Sequence, residues 1–238
     1  MTKDAPGGQA ASARPARGAR RARSIPLRLR VNEIFHSLQG EADAVGYRSA
    51  FVRLTGCPLR CRYCDTEYAF HAGDWMGIGD IVDAVLQFGA AHVCVTGGEP
   101  LAQPACLELL ARLCDAGLQV SLETSGALDI GAVDARVVRV VDVKTPDSGE
   151  SARNRLENFP LLRAADQLKF VVGSRADYEW SKDFLARHAL SGRCPILFSP
   201  SYAKLAAAEL AQWILADRLP VRFQLQLHKV LWGDAPGR

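Results

Sequence analysis

Three cysteines with the spacing C-x3-C-x2-C lie in the segment Gly56-Cys57-Pro58-Leu59-Arg60-Cys61-Arg62-Tyr63-Cys64-Asp65-Thr66. The apolar run 51–54 precedes them and predicts a strand that leads into a tight loop containing glycine and proline. Thiolates that converge in such a loop are soft ligands and suit zinc or an iron–sulfur cluster. Three cysteines on a [4Fe–4S] cube would leave one iron without a protein ligand, whereas a structural zinc site is normally closed by a fourth residue.

The cysteine loop resembles the cluster loop of radical S-adenosylmethionine (SAM) enzymes, with Tyr63 in the aromatic position before the third cysteine. Further segments narrow the resemblance: Ser37-Leu38-Gln39-Gly40-Glu41, Cys64-Asp65-Thr66, Thr96-Gly97-Gly98-Glu99-Pro100 and Leu227-His228-Lys229. Taken in order, these motifs are similar to those of the 7-carboxy-7-deazaguanine synthase family. The resemblance covers nearly the whole chain after its N-terminal segment.

Composition and charge predict one globular domain and a separate tail. The chain has 238 residues, 48% of them hydrophobic, which is enough for one sizeable core. Residues 1–30 hold eight Lys or Arg and one acidic residue, a net charge of +7, so the whole-chain charge of +3 leaves −4 for residues 31–238. The second part therefore predicts no polybasic face for nucleic acid. No apolar run is long enough to predict a membrane span.

Two parts of the chain are predicted, a disordered basic tail at 1–27 and a single radical SAM core domain at 28–238. Residues 1–24 are rich in Ala, Gly, Arg, Pro and Ser and contain no aromatic residue, so they cannot bury enough apolar surface to order themselves. The tail lacks the apolar region of a secretory signal. Its composition leaves open an organelle transit peptide, a non-functional extension or a nucleic-acid tether.

The cysteine usage is typical of a reducing compartment, and a cytoplasmic location is expected. Seven cysteines, three of them clustered, do not form a disulfide framework pattern. Cys94, Cys106, Cys114 and Cys194 lie in apolar segments and are predicted to be small buried hydrophobic residues.

The order of elements predicts an α/β fold, a partial (open) β/α barrel of the radical SAM type with a mostly parallel sheet of about six or seven strands. A first strand is expected at 28–35 and a last one at 221–227, with buried strands such as 92–95, 118–122, 137–141 and 167–172 between them. Helices are expected at 81–88, 107–116, 178–190 and 205–215, and an irregular loop at 67–78. Strands separated by helices imply right-handed parallel crossovers, and the candidate site residues follow the carboxyl ends of the strands.

Several candidate residues have a simpler structural interpretation. Arg53 lies inside an apolar strand, where it could face solvent or pair with a substrate carboxylate through a bidentate contact. Thr66, Glu123 and Ser125 could cap turns. Lys144 could lie on the surface, and a lone histidine such as His228 usually belongs to ordinary surface or core.

The resemblance implies a role for each matching position. Cys57, Cys61 and Cys64 would bind a [4Fe–4S] cluster and Thr66 a Mg²⁺ ion. Substrate would be bound by Leu38, Gln39, Gly40, Glu41, Arg53, Thr96 and His228. SAM would be bound by Tyr63, Gly98, Glu99, Glu123, Ser125, Asp142, Val143, Lys144, Ser199, Pro200, Ser201 and Tyr202. Ala42 stands where the family usually has a second glycine, and the chain continues beyond the point at which some members place a C-terminal carboxylate on the substrate.

The resemblance also implies the reaction, a carbon–nitrogen lyase step in 7-deazapurine (queuosine) biosynthesis. A 5′-deoxyadenosyl radical made from SAM would abstract hydrogen from C6 of 6-carboxy-5,6,7,8-tetrahydropterin, and ring contraction with loss of ammonia would give 7-carboxy-7-deazaguanine. No side chain is expected to act as the catalyst itself. A flavodoxin-like electron donor and a homodimer are implied, with no nucleic-acid or membrane partner.

Two alternatives remain open from the sequence. The first is an activating enzyme that makes a glycyl radical on a partner protein, since its cluster loop would look similar. The second is a structural zinc module with Cys57, Cys61, Cys64 and His71 as ligands. The zinc alternative leaves Thr66, Lys144 and the glycine motif unexplained.

Overall fold

The computed structural model describes residues 1–2, 27–202, 204–233, 235 and 237. The predicted tail therefore lies outside the described residues except at 1–2 and 27.

One sheet of nine strands organises the described part of the chain, in the order β3-β1-β2-β4-β5-β6-β7-β8-β9. The strands are β1 (Arg28–Leu38), β2 (Arg48–Leu54), β3 (Asp74–Gly77), β4 (His92–Gly97), β5 (Gln119–Thr124), β6 (Val138–Val143), β7 (Gln167–Val172), β8 (Ile196–Pro200) and β9 (Arg222–Phe223). From β2 onward every pairing is parallel, and only β1 pairs antiparallel, with β2 and β3. The ends of the sheet, β3 and β9, do not pair with each other, so the predicted open barrel is confirmed.

The crossovers are partly helical and partly irregular. The α-helices are α1 (Ile78–Leu86), α2 (Cys106–Asp115), α3 (Arg175–Arg187), α4 (Ala207–Asp217) and α5 (Leu227–Trp232). Between β6 and β7 the chain forms only short 3-10 turns. Among the described residues, no helix is long and apolar enough to cross a membrane.

Strand β7 shows how the sheet separates its two faces. Because successive side chains of a strand point to opposite faces, Phe170 packs against Phe184 of α3 and Phe198 of β8. Lys169 and Val171 point to the other face and line a cavity. One face thus carries the apolar core, and the other carries the polar groups of the barrel interior.

The element predictions are wrong at two places. The segment 67–78 is not one irregular loop, because it contains a 3-10 turn and the edge strand β3, whose Trp75 pairs with Arg30 of β1. The last predicted strand ends after Phe223, and residues 227–232 form α5 instead. The nine-stranded sheet therefore has one short edge strand, β3, that was not predicted, and a last strand, β9, that is shorter than predicted.

The buried-cysteine prediction is confirmed for three residues. Cys94, Cys106 and Cys194 are buried in the core, whereas Cys114 is half-buried on α2. All seven cysteines are free thiols.

Candidate active site

A cavity of about 570 Å³ opens at the carboxyl ends of the parallel strands. Residues from the β2, β4, β5, β6 and β7 ends and from α5 converge there, as the barrel geometry requires. The predicted site residues that line it are Leu38, Gln39, Gly40, Glu41, Arg53, Cys57, Cys61, Tyr63, Cys64, Thr66, Thr96, Gly98, Glu123, Ser125, Asp142, Lys144, Ser201, Tyr202 and His228.

The cysteine loop is held to neighbouring loops through its backbone. Gly56 N donates to Ala69 O at 2.8 Å, and Gly56 O accepts from Glu99 N at 2.8 Å. Gly98 approaches the loop so closely that a Cβ there would lie 2.8 Å from the Cβ of Cys57. The loop after β4 and the cysteine loop are therefore packed against each other with no room for a side chain between them.

The three thiols of this loop are half-exposed and face the same cavity. Burial raises the pKa of Cys57 and raises that of Cys61 to about 11. A thiol with a raised pKa becomes a ligand when a metal displaces its proton. Three convergent, unbridged thiols with an open cavity in front of them fit a [4Fe–4S] cluster that keeps one iron open to a further ligand.

A closed zinc site does not fit the same residues. His71, the fourth ligand of the zinc alternative, is exposed and lies outside the cavity lining. Across the part of the chain that the structure describes, no three His, Cys, Asp or Glu side chains group tightly enough to hold one metal ion. A [4Fe–4S] cluster does not require its cysteines to converge on one metal ion, because each cysteine binds a separate iron.

Beside the thiols lies a charged pair on the β6 end. Lys144 Nζ donates to Asp142 Oδ2 at 2.7 Å. Burial would lower the pKa of Lys144, but the carboxylate of Asp142 outweighs it and raises the pKa, so the ammonium stays charged. Among the described residues, Asp142 Oδ1 is buried and has no hydrogen-bond partner. Tyr63, whose pKa burial raises to about 12, covers this pair with its hydroxyl 3.3 Å from Thr145 Oγ1.

Four residues expected at the SAM end do not line the cavity: Glu99, Val143, Ser199 and Pro200. All four are buried. The Glu99 carboxylate is occupied by the chain itself, since it accepts hydrogen bonds from Leu101 N at 3.0 Å, Ser125 N at 2.7 Å and the hydroxyl of Thr124 at 2.9 Å. Glu99 thus links the carboxyl ends of β4 and β5. It also fixes the glycine loop, Gly97–Gly98, from outside the cavity lining.

Elsewhere on the cavity wall, Glu41 lies in a polar network. Its Oε2 accepts from Lys169 Nζ, and its Oε1 accepts from Gln226 Nε2 at 2.9 Å. Burial would raise the pKa of Glu41, but Lys169 overcomes this and lowers it. Glu123 lies nearby with Thr96 Oγ1 at 3.4 Å, and burial raises its pKa. The pKa values of Glu41 and Glu123, two carboxyl groups of the same cavity, are thus shifted in opposite directions.

Arg53 is oriented before any ligand arrives. Its Nε donates to Glu33 Oε1 at 2.6 Å, and the hydroxyl of Tyr68 donates to the same oxygen at 2.9 Å. The guanidinium carbon lies 5.6 Å from the ring centroid of Phe35. The Nε side of the guanidinium is therefore committed to Glu33, and Arg53 still lines the cavity.

His228 reaches the cavity from a helix and not from the end of a strand. A Cβ on Gly40 would lie 3.0 Å from the Cγ of His228, so the ring packs directly on the glycine backbone. Burial lowers the pKa of His228, which favours the neutral imidazole. Ala42, two residues after Gly40, has φ of 64°, in the left-handed region that favours glycine.

Comparison with known proteins identifies the family. Residues 51–140 match the family described as the Radical SAM superfamily. A 7-carboxy-7-deazaguanine synthase of Chlorobaculum tepidum is 48% identical over 88% of this chain and 97% of its own length. The chain belongs to the 7-carboxy-7-deazaguanine synthase family. The synthase of Koribacter versatilis is 40% identical over 86% of this chain and 97% of its own length.

The fold comparison agrees. The crystal structure of QueE from Escherichia coli superimposes with a TM-score of 0.71 and 23% identity over 84% of this chain and 95% of that one. SuiB from Streptococcus suis, solved with bound S-adenosylmethionine, gives a TM-score of 0.52 over 72% of this chain and 45% of that one. This synthase-family chain is a radical SAM enzyme that uses a [4Fe–4S] cluster and SAM, as its family does.

Sequence reasoning missed Lys169, which lines the cavity beside Glu41. A signal was available, because Lys169 interrupts the apolar strand 167–172 in the same way that Arg53 interrupts 51–54. It also missed the wall residues Phe35, Phe51, Leu59, Phe70 and Lys204. For these apolar and surface side chains no sequence signal distinguishes the wall of a site from ordinary core or solvent-facing positions.

Proposed function

We propose that this member of the synthase family converts 6-carboxy-5,6,7,8-tetrahydropterin to 7-carboxy-7-deazaguanine with loss of ammonia. The observation that supports it most directly is that one cavity joins the three-cysteine loop to an end lined by Gln39, Glu41 and Arg53. The first end suits a redox cofactor, and the second offers a carboxylate and a guanidinium to a small polar heterocycle.

The cysteine end would hold the cofactors. Cys57, Cys61 and Cys64 would bind the cluster, and Gly98, Ser125, Asp142, Lys144, Ser201 and Tyr202 would surround SAM. The cluster and SAM together supply one-electron chemistry that removes a carbon-bound hydrogen, which no ordinary side-chain base can do. Lys144, kept charged by Asp142, suits the carboxylate of the methionyl group.

The opposite end would bind the substrate. Arg53, fixed by Glu33 on its Nε side, would direct its terminal nitrogens to the substrate carboxylate. Glu41 and neutral His228 would accept or donate hydrogen bonds along the ring edge. Closure of these groups around the ligand would exclude water from the reacting carbon.

Thr66 is the proposed protein ligand of a Mg²⁺ ion. Its hydroxyl oxygen lies on the cavity wall, 3.8 Å from the Sγ of Cys64. Mg²⁺ prefers oxygen ligands and usually keeps several from water or substrate, so one hydroxyl from the protein is chemically adequate. The ion would neutralise the substrate carboxylate beside the cysteine loop.

The remaining features of the proposal concern the protein in the cell. We infer that residues 28–238 act as one radical SAM domain, that the enzyme works in the cytoplasm as a homodimer, and that a flavodoxin-like protein reduces it. The free thiols support a reducing compartment. Size-exclusion chromatography with light scattering tests the dimer, and replacement of dithionite by reduced flavodoxin tests the donor.

Anaerobic reconstitution tests the function. The protein would be loaded with iron and sulfide, then given dithionite, SAM, Mg²⁺ and 6-carboxytetrahydropterin, with products followed by mass. We expect 7-carboxy-7-deazaguanine from the wild type and a loss of at least about 10³-fold in Cys64→Ala, because the cluster loses a ligand. Cys114→Ala, a thiol on α2 outside the cavity, is the matched control and should retain activity.

The possible results test the substrate and the cluster ligands separately. Formation of 5′-deoxyadenosine without deazaguanine would leave the radical chemistry in place and overturn the substrate. Failure to assemble any cluster would overturn the cysteine assignment itself.

A further inference from the structure

The Glu41 carboxylate is presented to the cavity in a defined way. It is 5% exposed, and the chain occupies one position on each of its oxygens, Lys169 on Oε2 and Gln226 on Oε1. An ionised carboxylate has about four lone-pair sites. One lone-pair site on each oxygen therefore remains for the donors of a ligand, and Glu41 lines the cavity.

Lys169 is the cation that contacts the Glu41 carboxylate directly. Its side chain is 10% exposed and lies on the barrel-facing side of β7. Burial would lower the pKa of Lys169, but three nearby carboxyl groups, those of Glu41, Asp142 and Glu123, outweigh this and raise it. Asp142 already has Lys144 as its partner, so Lys169 is the ammonium in direct contact with Glu41.

We propose that Lys169 is a positioning residue for substrate recognition: it holds Glu41 ionised and in one orientation, so that the carboxylate accepts two N–H groups from the aminopyrimidinone edge of the pterin. This inference rests on the proposed function. It adds a residue, Lys169, that influences substrate specificity without contacting the pterin ring. A ligand without two adjacent N–H donors would leave one or both of the remaining lone-pair sites of a buried carboxylate unsatisfied, and that is unfavourable.

Removal of Lys169 has a predictable consequence for proton affinity. Without the ammonium, burial dominates and raises the pKa of Glu41, so the carboxyl binds a proton at low pH and turns one acceptor into a donor. As the pH rises through the new pKa the group ionises again, and ligand binding recovers. The titratable groups that interact directly with the pair are Glu123 on β5, Asp142 at the end of β6 and His228 on α5. Each of these has charged or titratable neighbours of its own: Cys94 and Arg53 beside Glu123, Lys144 beside Asp142, and Asp65 and Lys229 beside His228.

The test measures binding of 6-carboxypterin, an oxidised analogue that does not turn over, to the reconstituted enzyme by quenching of pterin fluorescence. We expect Lys169→Met to raise Kd by roughly 10- to 100-fold at the acidic end of a titration between about pH 6 and pH 9, with the defect shrinking as the pH rises. Lys169→Arg, which keeps the charge, should restore most of the affinity. A merely structural role would not make the loss depend on pH.

A double variant keeps the test valid if Lys169→Met folds poorly. Lys169→Met with Glu41→Gln removes both charges and leaves no buried carboxylate unpaired. We expect this double variant to bind no more weakly than Glu41→Gln alone, because Lys169 acts through Glu41. Lys182→Met on α3, which removes a lysine paired with Asp217 outside the cavity, is the matched control and should leave Kd unchanged.

Two results would overturn the inference alone: wild-type affinity in Lys169→Met at every pH, or independent losses that multiply in the double variant. Failure of the wild-type enzyme to bind 6-carboxypterin would overturn the inference together with the proposed function. The wild-type measurement thus distinguishes the two failures.

Discussion

Ala42 is a residue in an unfavourable backbone conformation. Its φ of 64° lies in the left-handed region, its side chain is buried, and its N–H donates to Gln224 Oε1 at 3.0 Å. The hydrogen bond and the packing hold a conformation that costs an alanine about 1–2 kcal/mol. Composition and periodicity do not show this conformation, and no backbone conformation was predicted for Ala42 from the sequence.

Replacement of Ala42 by glycine should stabilise the protein. Relief of the left-handed conformation outweighs the greater backbone entropy that glycine loses on folding, for a net gain of up to about 1 kcal/mol. The change in the free energy of unfolding is measured by urea denaturation of the wild type and the variant. Ala111→Gly, within helix α2, is the control and should destabilise by about 1 kcal/mol. Equal destabilisation by both variants would show that the left-handed conformation of Ala42 carries no cost.

At the scale of elements, the ends of β4 and β5 are joined through Glu99. Its carboxylate accepts bonds from Leu101 N, Thr124 and Ser125, which belong to the turns after these two strands. The glycine loop that packs on Cys57 is thereby fixed from behind.

Glu99→Gln should disturb this junction. The amide NH₂ would face donors where the carboxylate accepts, so we expect a loss of about 2–3 kcal/mol in the free energy of unfolding. Cluster content after reconstitution should fall as well, because the loop against Cys57 loosens. Glu108→Gln on α2, which breaks only an exposed pair with Arg112, should change stability by less than about 0.5 kcal/mol. Unchanged melting and iron content in Glu99→Gln would contradict the role given to this junction.

The buried strands are among the elements that the sequence predicted correctly, because each is a short segment rich in apolar and β-branched residues. The C-terminal segment was assigned wrongly because Val221, Phe223, Leu225 and Leu227 alternate with polar residues, as in a strand. The competing helical spacing of Leu227, Val230 and Leu231 begins at the last of these residues, and it prevails in the fold. Strand β3 is too short for any periodicity to predict it.

The predicted site is recovered unevenly for a similar reason. Motif residues at strand ends line the cavity because parallel strands bring their carboxyl ends to one edge. Val143 lies behind the wall because side chains alternate between the two faces of a strand, and its neighbours Asp142 and Lys144 line the cavity. The Glu99 carboxylate is turned to the backbone N–H groups of Leu101 and Ser125. Ser199 and Pro200 are also buried outside the cavity lining.

At the scale of the whole molecule, one end of the barrel carries the cavity and the other carries groups that stabilise the fold. The cavity lies at the carboxyl ends of the strands, and a buried ion cluster lies at the amino ends of β6 and β7. There Arg139 Nη2 donates to Asp166 Oδ2 at 2.5 Å, and Arg163 Nη2 donates to Asp166 Oδ1 at 2.9 Å. Burial would raise the pKa of Asp166, but the two guanidinium groups lower it to about 2.

Asp166→Asn should therefore destabilise the fold without changing ligand affinity. Removing one partner of a buried pair costs about 3–5 kcal/mol. The pKa of the folded state lies below the ordinary value of 3.8, so the stabilisation is fully present above that value and is lost as the pH falls toward about 2. Melting curves of both proteins across acid pH should thus converge. A constant difference in stability down to the lowest pH would contradict the ionic origin.

The loop 39–42 is completed by the far end of the chain. Ala42 N bonds to Gln224, Gly40 O accepts from Leu227 N at 3.0 Å, and Glu41 bonds to Gln226 at 2.9 Å, across a separation of 185 residues. During translation the cysteine loop and its neighbouring strands can assemble early, as chains fold from the N-terminus during synthesis. The cysteine loop forms hydrogen bonds with Ala69, Glu99, Ser148 and Glu150, whereas the loop 39–42 is completed only when the last strand and helix have left the ribosome.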